Sequence, residues 1–325
     1  MWRRLLRFHW LTWFVAVLLV SAANTAYCQD YPSRPIRVVV PFGPGTGTDV
    51  VARAIGAEVG HRTGQPVIID NRPGAEGQIG AQAAATAAPD GYTLFITTQT
   101  TQAMNAHIYR SLAYDPVRSF APVTGLTRGP QIVMVRKSLP VQSIADLVAL
   151  AKAKPGSLTF GSGNGSSRGG AELFRMMAKI DLVSVPYKSQ TQVVSDLLGD
   201  TIDLTFSDFS AGLAAVRDGR ARGLAVTSRE RIPGLEAYPA VAETIPGYEM
   251  WAWSACYVPA GTPHAVVLKL NALIRDALES ESVKRTFATT AASTFPGTPE
   301  ELASFQAAET ERWGKIIEFA GMKEP

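Results

Sequence analysis

The chain's 325 residues, 46% hydrophobic and 18% charged, are too apolar for a disordered polymer and exceed what one ordinary core absorbs. Of its 31 Lys and Arg, Arg3, Arg4 and Arg7 fall in the first 28 residues, which hold no acid; what remains is balanced, 28 against 28 Asp and Glu. No basic run is left for nucleic acid or an anionic membrane, and Cys28 and Cys256 provide no disulfide framework.

Met1–His9 is basic and Trp10–Ala23 is almost wholly apolar, a block shorter than the ~20 residues that span a bilayer. With small residues after it, this predicts a secretory signal peptide over residues 1–28. Ala26 at −3 and Cys28 at −1 place cleavage after Cys28, with cleavage after Ala26 as the alternative; Thr25-Ala26-Tyr27 is a poor lipobox. Cys256 then reads as a buried small hydrophobe in the apolar run Trp251–Val258. His61, His107 and His264 are far apart in sequence and read as surface or loop residues. No Cys/His spacing suits a metal, so neither metal nor cofactor is expected.

The mature chain opens with Ile36–Val40, a strand signal closed by Pro41-Phe42-Gly43-Pro44-Gly45-Thr46-Gly47. A helix follows over Asp49–Arg62, capped by Thr48 or Asp49. Glycines let the backbone approach a ligand, and the orphan N–H groups at the helix start suit a carboxylate or phosphate. The Walker lysine is absent and the dinucleotide fingerprint fails, because Thr46, Gly47 and Thr48 follow Gly43-Pro44-Gly45. Asp49 would repel a phosphate. A plain strand–helix turn without a ligand is the alternative.

Further along, Val67–Asp70 and Tyr92–Thr97 read as strands and Gln78–Ala87 as a helix, an alternation that predicts a parallel-rich sheet. A second series runs from a strand at Gln131–Val135 to a helix at Ser143–Ala153 capped by Ser143, then a strand at Leu158–Gly161. The loop Ser162–Ser167 leads to a helix from Gly169 to Ala178. Val183–Pro186, Leu204–Phe206 and Leu224–Thr227 read as strands, Gln190–Leu198 as a helix. Ala265–Glu279, Val283–Thr289 and Pro299–Phe319 read as helices, the last with acids in its first turn. Each half thus carries one strand–glycine loop–helix unit, and two such loops face to face would clamp one ligand.

Ordered blocks along the chain carry a family likeness: Tyr31-Pro32-Ser33-Arg34-Pro35-Ile36, the Pro41–Arg53 loop, Asp70-Asn71-Arg72-Pro73-Gly74, Ala88-Pro89-Asp90-Gly91-Tyr92, Val185-Pro186-Tyr187-Lys188 and Pro259-Ala260-Gly261-Thr262-Pro263. In this order the chain resembles the Bug-type substrate-binding proteins of tripartite tricarboxylate transporters, over nearly all of its mature length. The resemblance implies an α/β, two-lobed periplasmic binding protein (type II-like), each lobe a mixed sheet flanked by helices. Two crossing hinge segments, near Leu126–Val133 and Tyr248–Tyr257, would join lobe 1 (residues 29–128 plus 249–325) to lobe 2 (residues 129–248). It implies a monomer in the periplasm that binds a small carboxylate and delivers it to ion-gradient-driven membrane transporter subunits, without ATP.

The family's ligand positions carry over to Phe42, Gly45, Thr46, Gly47, Thr48, Asp49 and Thr98 on the first lobe. On the second they fall at Ser162, Asn164, Ser166, Arg168, Tyr187 and Asp208. Arg168 stands where a histidine is common, and Ser207-Asp208 replaces the usual Asp-Asn. Arg168 is expected just ahead of its helix, either turned into the cleft to hold a second carboxylate or pointing outward as a solvated helix-start arginine. Two other classes stay open: a sensor subunit that signals to a two-component kinase, and a hydrolase using Ser166, which lacks a Gly-x-Ser-x-Gly elbow.

Overall fold

The computed structural model describes residues 31–288 and 292–323; the predicted signal peptide lies outside them. The chain runs β1 (Ile36–Val40), α1 (Gly47–Thr63), β2 (Val67–Asn71), α2 (Gln78–Ala85), β3 (Thr93–Thr98), a π-helix (Thr100–Met104), α3 (Asn105–Ile108) and β4 (Phe120–Gly129). Then come β5 (Gln131–Arg136), α4 (Ile144–Ala153), β6 (Thr159–Ser162), α5 (Gly165–Ala178), β7 (Val183–Pro186), α6 (Gln190–Leu198), β8 (Leu204–Asp208), α7 (Phe209–Arg217) and β9 (Ala221–Val226). It closes with β10 (Ala252–Pro259), α8 (His264–Leu278), α9 (Glu281–Ala288), β11 (Ser293–Thr294) and α10 (Pro299–Phe319).

These elements form two mixed sheets flanked by helices. The first has the order β11-β4-β10-β3-β1-β2, the second β7-β6-β8-β5-β9. In the first, β1 is parallel to β2 and β3 while β10 is antiparallel to β3 and β4. In the second, β6 is parallel to β7 and β8 while β5 is antiparallel to β8 and β9. The nearly continuous Val/Ile run of β1 is buried, as a strand covered on both faces requires. Among the described residues no helix is long and apolar enough to cross a membrane.

The chain leaves the first sheet at Gly129 and enters the second at Gln131, then returns between Val226 and Ala252. These passages are tied together: Gln131 N donates to Thr227 Oγ1 at 2.6 Å, and that hydroxyl donates to Met250 O at 2.8 Å. Thr227 N donates to Gln131 O and Met250 N to Thr227 O, both at 2.9 Å. One buried apolar cluster also spans both sheets, joining Phe95, Trp253 and Trp313 to Phe160, Phe174 and Tyr248.

Two helix starts next to the site differ from expectation. Thr46, not Thr48 or Asp49, caps α1, its Oγ1 accepting from Asp49 N. Helix α5 begins at Gly165 rather than Gly169, capped by Asn164. Gly165 read as loop because glycine lowers helix propensity, yet Gly165, Gly169 and Gly170 each lie where another side chain leaves no room for a Cβ. An added Cβ at Gly169 would sit 2.0 Å from Trp313 Cη2, and one at Gly165 2.8 Å from Met104 Sδ. Close packing overrides propensity there. The π-helix was not foreseen at all.

Candidate functional site

The first loop is held by its own side chains. Asp49, 2% exposed, accepts from Gly45 N and Arg53 Nε through Oδ2, both at 2.9 Å, and from Asn71 Nδ2 through Oδ1 at 2.9 Å. Asn71 Nδ2 also donates to Phe42 O at 3.0 Å. This network fixes Gly45 at φ +81°, a conformation L side chains rarely adopt. Burial pushes the Asp49 carboxyl up, and the hydrogen bonds from Arg53, Gly45 and Asn71 outweigh it, so its pKa lies below the ordinary Asp value. The expected ligand residue Asp49 is therefore occupied in shaping the loop. The backbone N–H groups of Gly47 and Thr48, in the first turn of α1, have no acceptor among the described residues.

Beside this loop lies the turn that ends β3. Thr98 Oγ1 accepts from Thr100 N at 3.3 Å, and Thr97 and Thr101 share a 2.6 Å hydroxyl contact. A Cβ on Gly77 would meet Thr101 Cγ2 at 2.8 Å and Pro41 Cβ at 3.2 Å, which shows how closely the two segments approach. The second glycine loop reaches the same turn: a Cβ on Gly165 would stand 3.1 Å from Thr100 Oγ1. The start of α5 thus meets the first sheet at the carboxyl end of β3, where crevices form in α/β proteins.

In the second loop, Asn164 Oδ1 accepts from Ser167 N at 2.8 Å and from Ser166 Oγ at 2.9 Å. Its amide orientation is thereby set, and Nδ2 donates to Asp208 Oδ2 at 2.8 Å. Gly163 must be glycine, since a Cβ would fall 2.2 Å from the backbone of Ser189 and Gln190. The N–H groups of Gly165 and Ser166 have no acceptor among the described residues. Ser162 is buried and its carbonyl accepts from Tyr187 N at 2.8 Å. The hydroxyl of Ser166 is engaged with an amide oxygen, which is no general base.

Arg168 does not precede the helix but lies in its first turn, half-buried. It forms no ion pair among the described residues, its Nε is buried without a partner, and its charge acts on Glu172 one turn further on. Tyr187 is not drawn to the loops: its ring packs by Gly161 and its hydroxyl faces Asp196 on α6. His107 is half-buried in α3 rather than in a loop, against Gly314. Cys256 is buried, and burial pushes its thiol pKa well up.

The structure thus brings Phe42, Gly45, Thr46, Gly47, Thr48, Thr98, Ser162, Asn164, Ser166 and Asp208 to loops at the carboxyl ends of β1, β3, β6 and β8. Sequence reasoning missed Asn71, Gln131 and Gln190. Gln190 Oε1 accepts from Gly163 N at 3.1 Å and its Nε2 donates to Thr205 Oγ1 at 3.0 Å. Only Asn71 sat in a recognisable motif; the two glutamines act through contacts distant in sequence.

Two α/β domains, each offering a glycine loop and a helix start to a shared crevice, define a solute-binding protein of the periplasmic type. A family model described as "Tripartite tricarboxylate transporter family receptor" matches residues 51–322, and the chain belongs to that family. It is 33% identical to Protein BugT of Bordetella pertussis over 314 residues, 95% of this chain and 96% of the relative. Among solved structures, R. palustris Rpa4515 with adipate is 36% identical with a TM-score of 0.81, covering 90% of this chain and 99% of that one. MatC (Rpa3494) from Rhodopseudomonas palustris with bound malate is 30% identical with a TM-score of 0.77, covering 88% and 100%.

Proposed function

We propose that the mature protein captures one small organic anion, a carboxylate, between two lobes in the periplasm and hands it to membrane transporter subunits. The observation that supports this reading is that the Gly47 and Thr48 N–H groups of the first loop and the Gly165 and Ser166 N–H groups of the second have no acceptor among the described residues, while Gly165 approaches Thr100 and the end of β1 at Pro41 approaches Gly77 beside Thr101. Backbone donors at helix starts suit an anion without requiring a fixed cation. The adipate and malate held by the two related structures are consistent with that chemistry. Residues 29–128 plus 249–325 would move against 129–248 about the passages at Gly129–Gln131 and Val226–Ala252. Export would rest on the signal peptide cleaved near Cys28. Native mass spectrometry after a screen of small carboxylates, adipate and malate included, should find a 1:1 complex. A ligand at 100 times its Kd should stabilise the fold by about 2.7 kcal/mol. Binding of neutral sugars or cations alone would sink the reading.

Arg168 supplies a second cationic end to the site in this reading. A guanidinium matches a carboxylate with a planar fork of donors, and the Nε of Arg168 is buried without a partner. Arg168→Gln should weaken a diacid by roughly 10- to 150-fold, the equivalent of about 1.5–3 kcal/mol, and a monoacid analogue much less. Calorimetric titration of both ligands separates the cases. Equal weakening would mean that Arg168 serves only to balance the buried Glu172.

A further inference from the structure

Asp208 ends β8 beside the second glycine loop, yet its carboxylate does not cap α7. Its partners are two neutral amides. Asn164 cannot turn its amide, because Oδ1 already accepts from Ser167 N and Ser166 Oγ; Asp208 Oδ2 is therefore an acceptor. Gln131 is constrained from the other side. With its amide turned so that both ends are satisfied, Nε2 donates to Ser166 O at 3.3 Å and Oε1 accepts from Ser167 N at 3.1 Å. That orientation sets Gln131 Oε1 about 3.4 Å from Asp208 Oδ1. The opposite orientation gives Asp208 a donor but aims the Gln131 amide N–H at the Ser167 N–H. Two acceptor oxygens facing each other gain nothing from a bare carboxylate and favour a proton on Oδ1, even though 3.4 Å is too long for a strong O–H···O bond.

We propose that Asp208 binds ligand as a neutral acid, its Oδ1 taking one proton from solvent as an organic anion enters the crevice, with Asn164 and Gln131 setting which oxygen carries it. The new O–H bond on Oδ1 is only loosely engaged by Gln131, so it is free to turn to a ligand oxygen. An ionised Asp208 would instead repel the carboxylate. This rests on the anion reading above. Burial raises the pKa of Asp208, and the hydrogen bond from Asn164 opposes that only in part. The charged residues on the elements packed around it are Arg168, Glu172 and Arg175 on α5, Asp196 on α6 with Lys188 ahead of it, Arg136 on β5 and Arg217 on α7. None forms an ion pair with it among the described residues.

The test compares the wild-type chain with Asp208→Asn, whose amide can offer an oxygen to Asn164 and a donor to Gln131. The first arm is ligand-free. A carboxyl whose pKa is raised in the fold contributes stability below the ordinary Asp range and loses it as pH rises through the raised value. Wild-type Tm should therefore fall relative to Asp208→Asn between pH 4.5 and 8.5 as the midpoint is passed; a flat difference overturns the proposal. If Asp208→Asn does not fold, carbon-13 NMR of aspartate-labelled wild-type protein takes its place. One carboxyl titrating well above the ordinary Asp range is expected, and none doing so overturns the proposal. The second arm titrates adipate by calorimetry in two buffers of different protonation heat. Above the midpoint wild type should take up close to one proton, with Kd rising about tenfold per pH unit, while Asp208→Asn takes up none. Adipate binding without proton uptake overturns the ligand half. If no small carboxylate of the screen binds, the anion reading fails and that half falls with it, while the ligand-free arm still decides the proton.

Discussion

Replacing Trp313 by alanine should cost about 3–5 kcal/mol of stability, as loss of a fully buried large aromatic does, with a fall in Tm on the order of 10 °C. Trp313 is 0% exposed on α10, in the apolar cluster that joins both sheets, and its ring lies where a Cβ on Gly169 would fall. Its loss opens a void between α10 and α5, so the helix carrying Asn164, Ser166 and Arg168 loses its seat on the first domain. Trp313 Nε1 has no acceptor among the described residues. Trp313→Phe gives up ring volume but no hydrogen bond, and should cost much less than alanine. Gly169→Ala should destabilise by about 1–3 kcal/mol through overpacking. The cycle with Trp313→Ala should show strong coupling, because a methyl group at 169 fills part of the void. Denaturant unfolding of the four proteins measures this; additive effects would show that the two residues do not share one packing site.

The second large effect is expected at Asp49. Asp49→Ala should cost roughly 1.5–3 kcal/mol, the range for hydrogen bonds to a charged group. The Arg53 partner adds little, since its side chain is 54% exposed and water screens the pair. The main loss is the acceptor for Gly45 N and Asn71 Nδ2, and with it the left-handed turn that presents Gly47 and Thr48. Ligand affinity should fall although Asp49 is turned inward. The sign with pH follows from its lowered pKa: the stabilisation is present above the ordinary Asp value and lost as pH falls through the folded value. The stability gap between wild type and Asp49→Asn should therefore close in acid, below about pH 4. A gap that stays constant down to acid unfolding would show that the charge of Asp49 does not hold the loop.

Much of this was readable along the chain. Ile36–Val40, Val183–Pro186, Gln190–Leu198 and Pro299–Phe319 were found at their observed bounds, because each combines a clear apolar period with a strong stop or cap. Thr298 and Glu301 form the capping box that begins α10, with Pro299 in its first turn. The site was readable less evenly. Both glycine loops were visible, since a strand closing on glycines before a helical period is a local pattern.

What a residue does inside those loops was a different matter. Asp49 carried over as a ligand position from the family resemblance, and in the structure its carboxylate is engaged by Gly45, Arg53 and Asn71. Tyr187 sits in a family block, yet packs against α6. Local rules of propensity, capping and hydrophobic period act over a few residues, so composition and order along the chain were enough for most of the elements, the two loops and the family, though not for β4, β10, α7 or α3. Which polar group faces a ligand depends on partners such as Gln131 and Asp208, 77 residues apart in sequence, and on glycines whose missing Cβ matters only once Trp313 or Met104 lies against them. Those pairings exist only after the two sheets have packed, since hydrogen-bond satisfaction and steric exclusion are properties of neighbours in space.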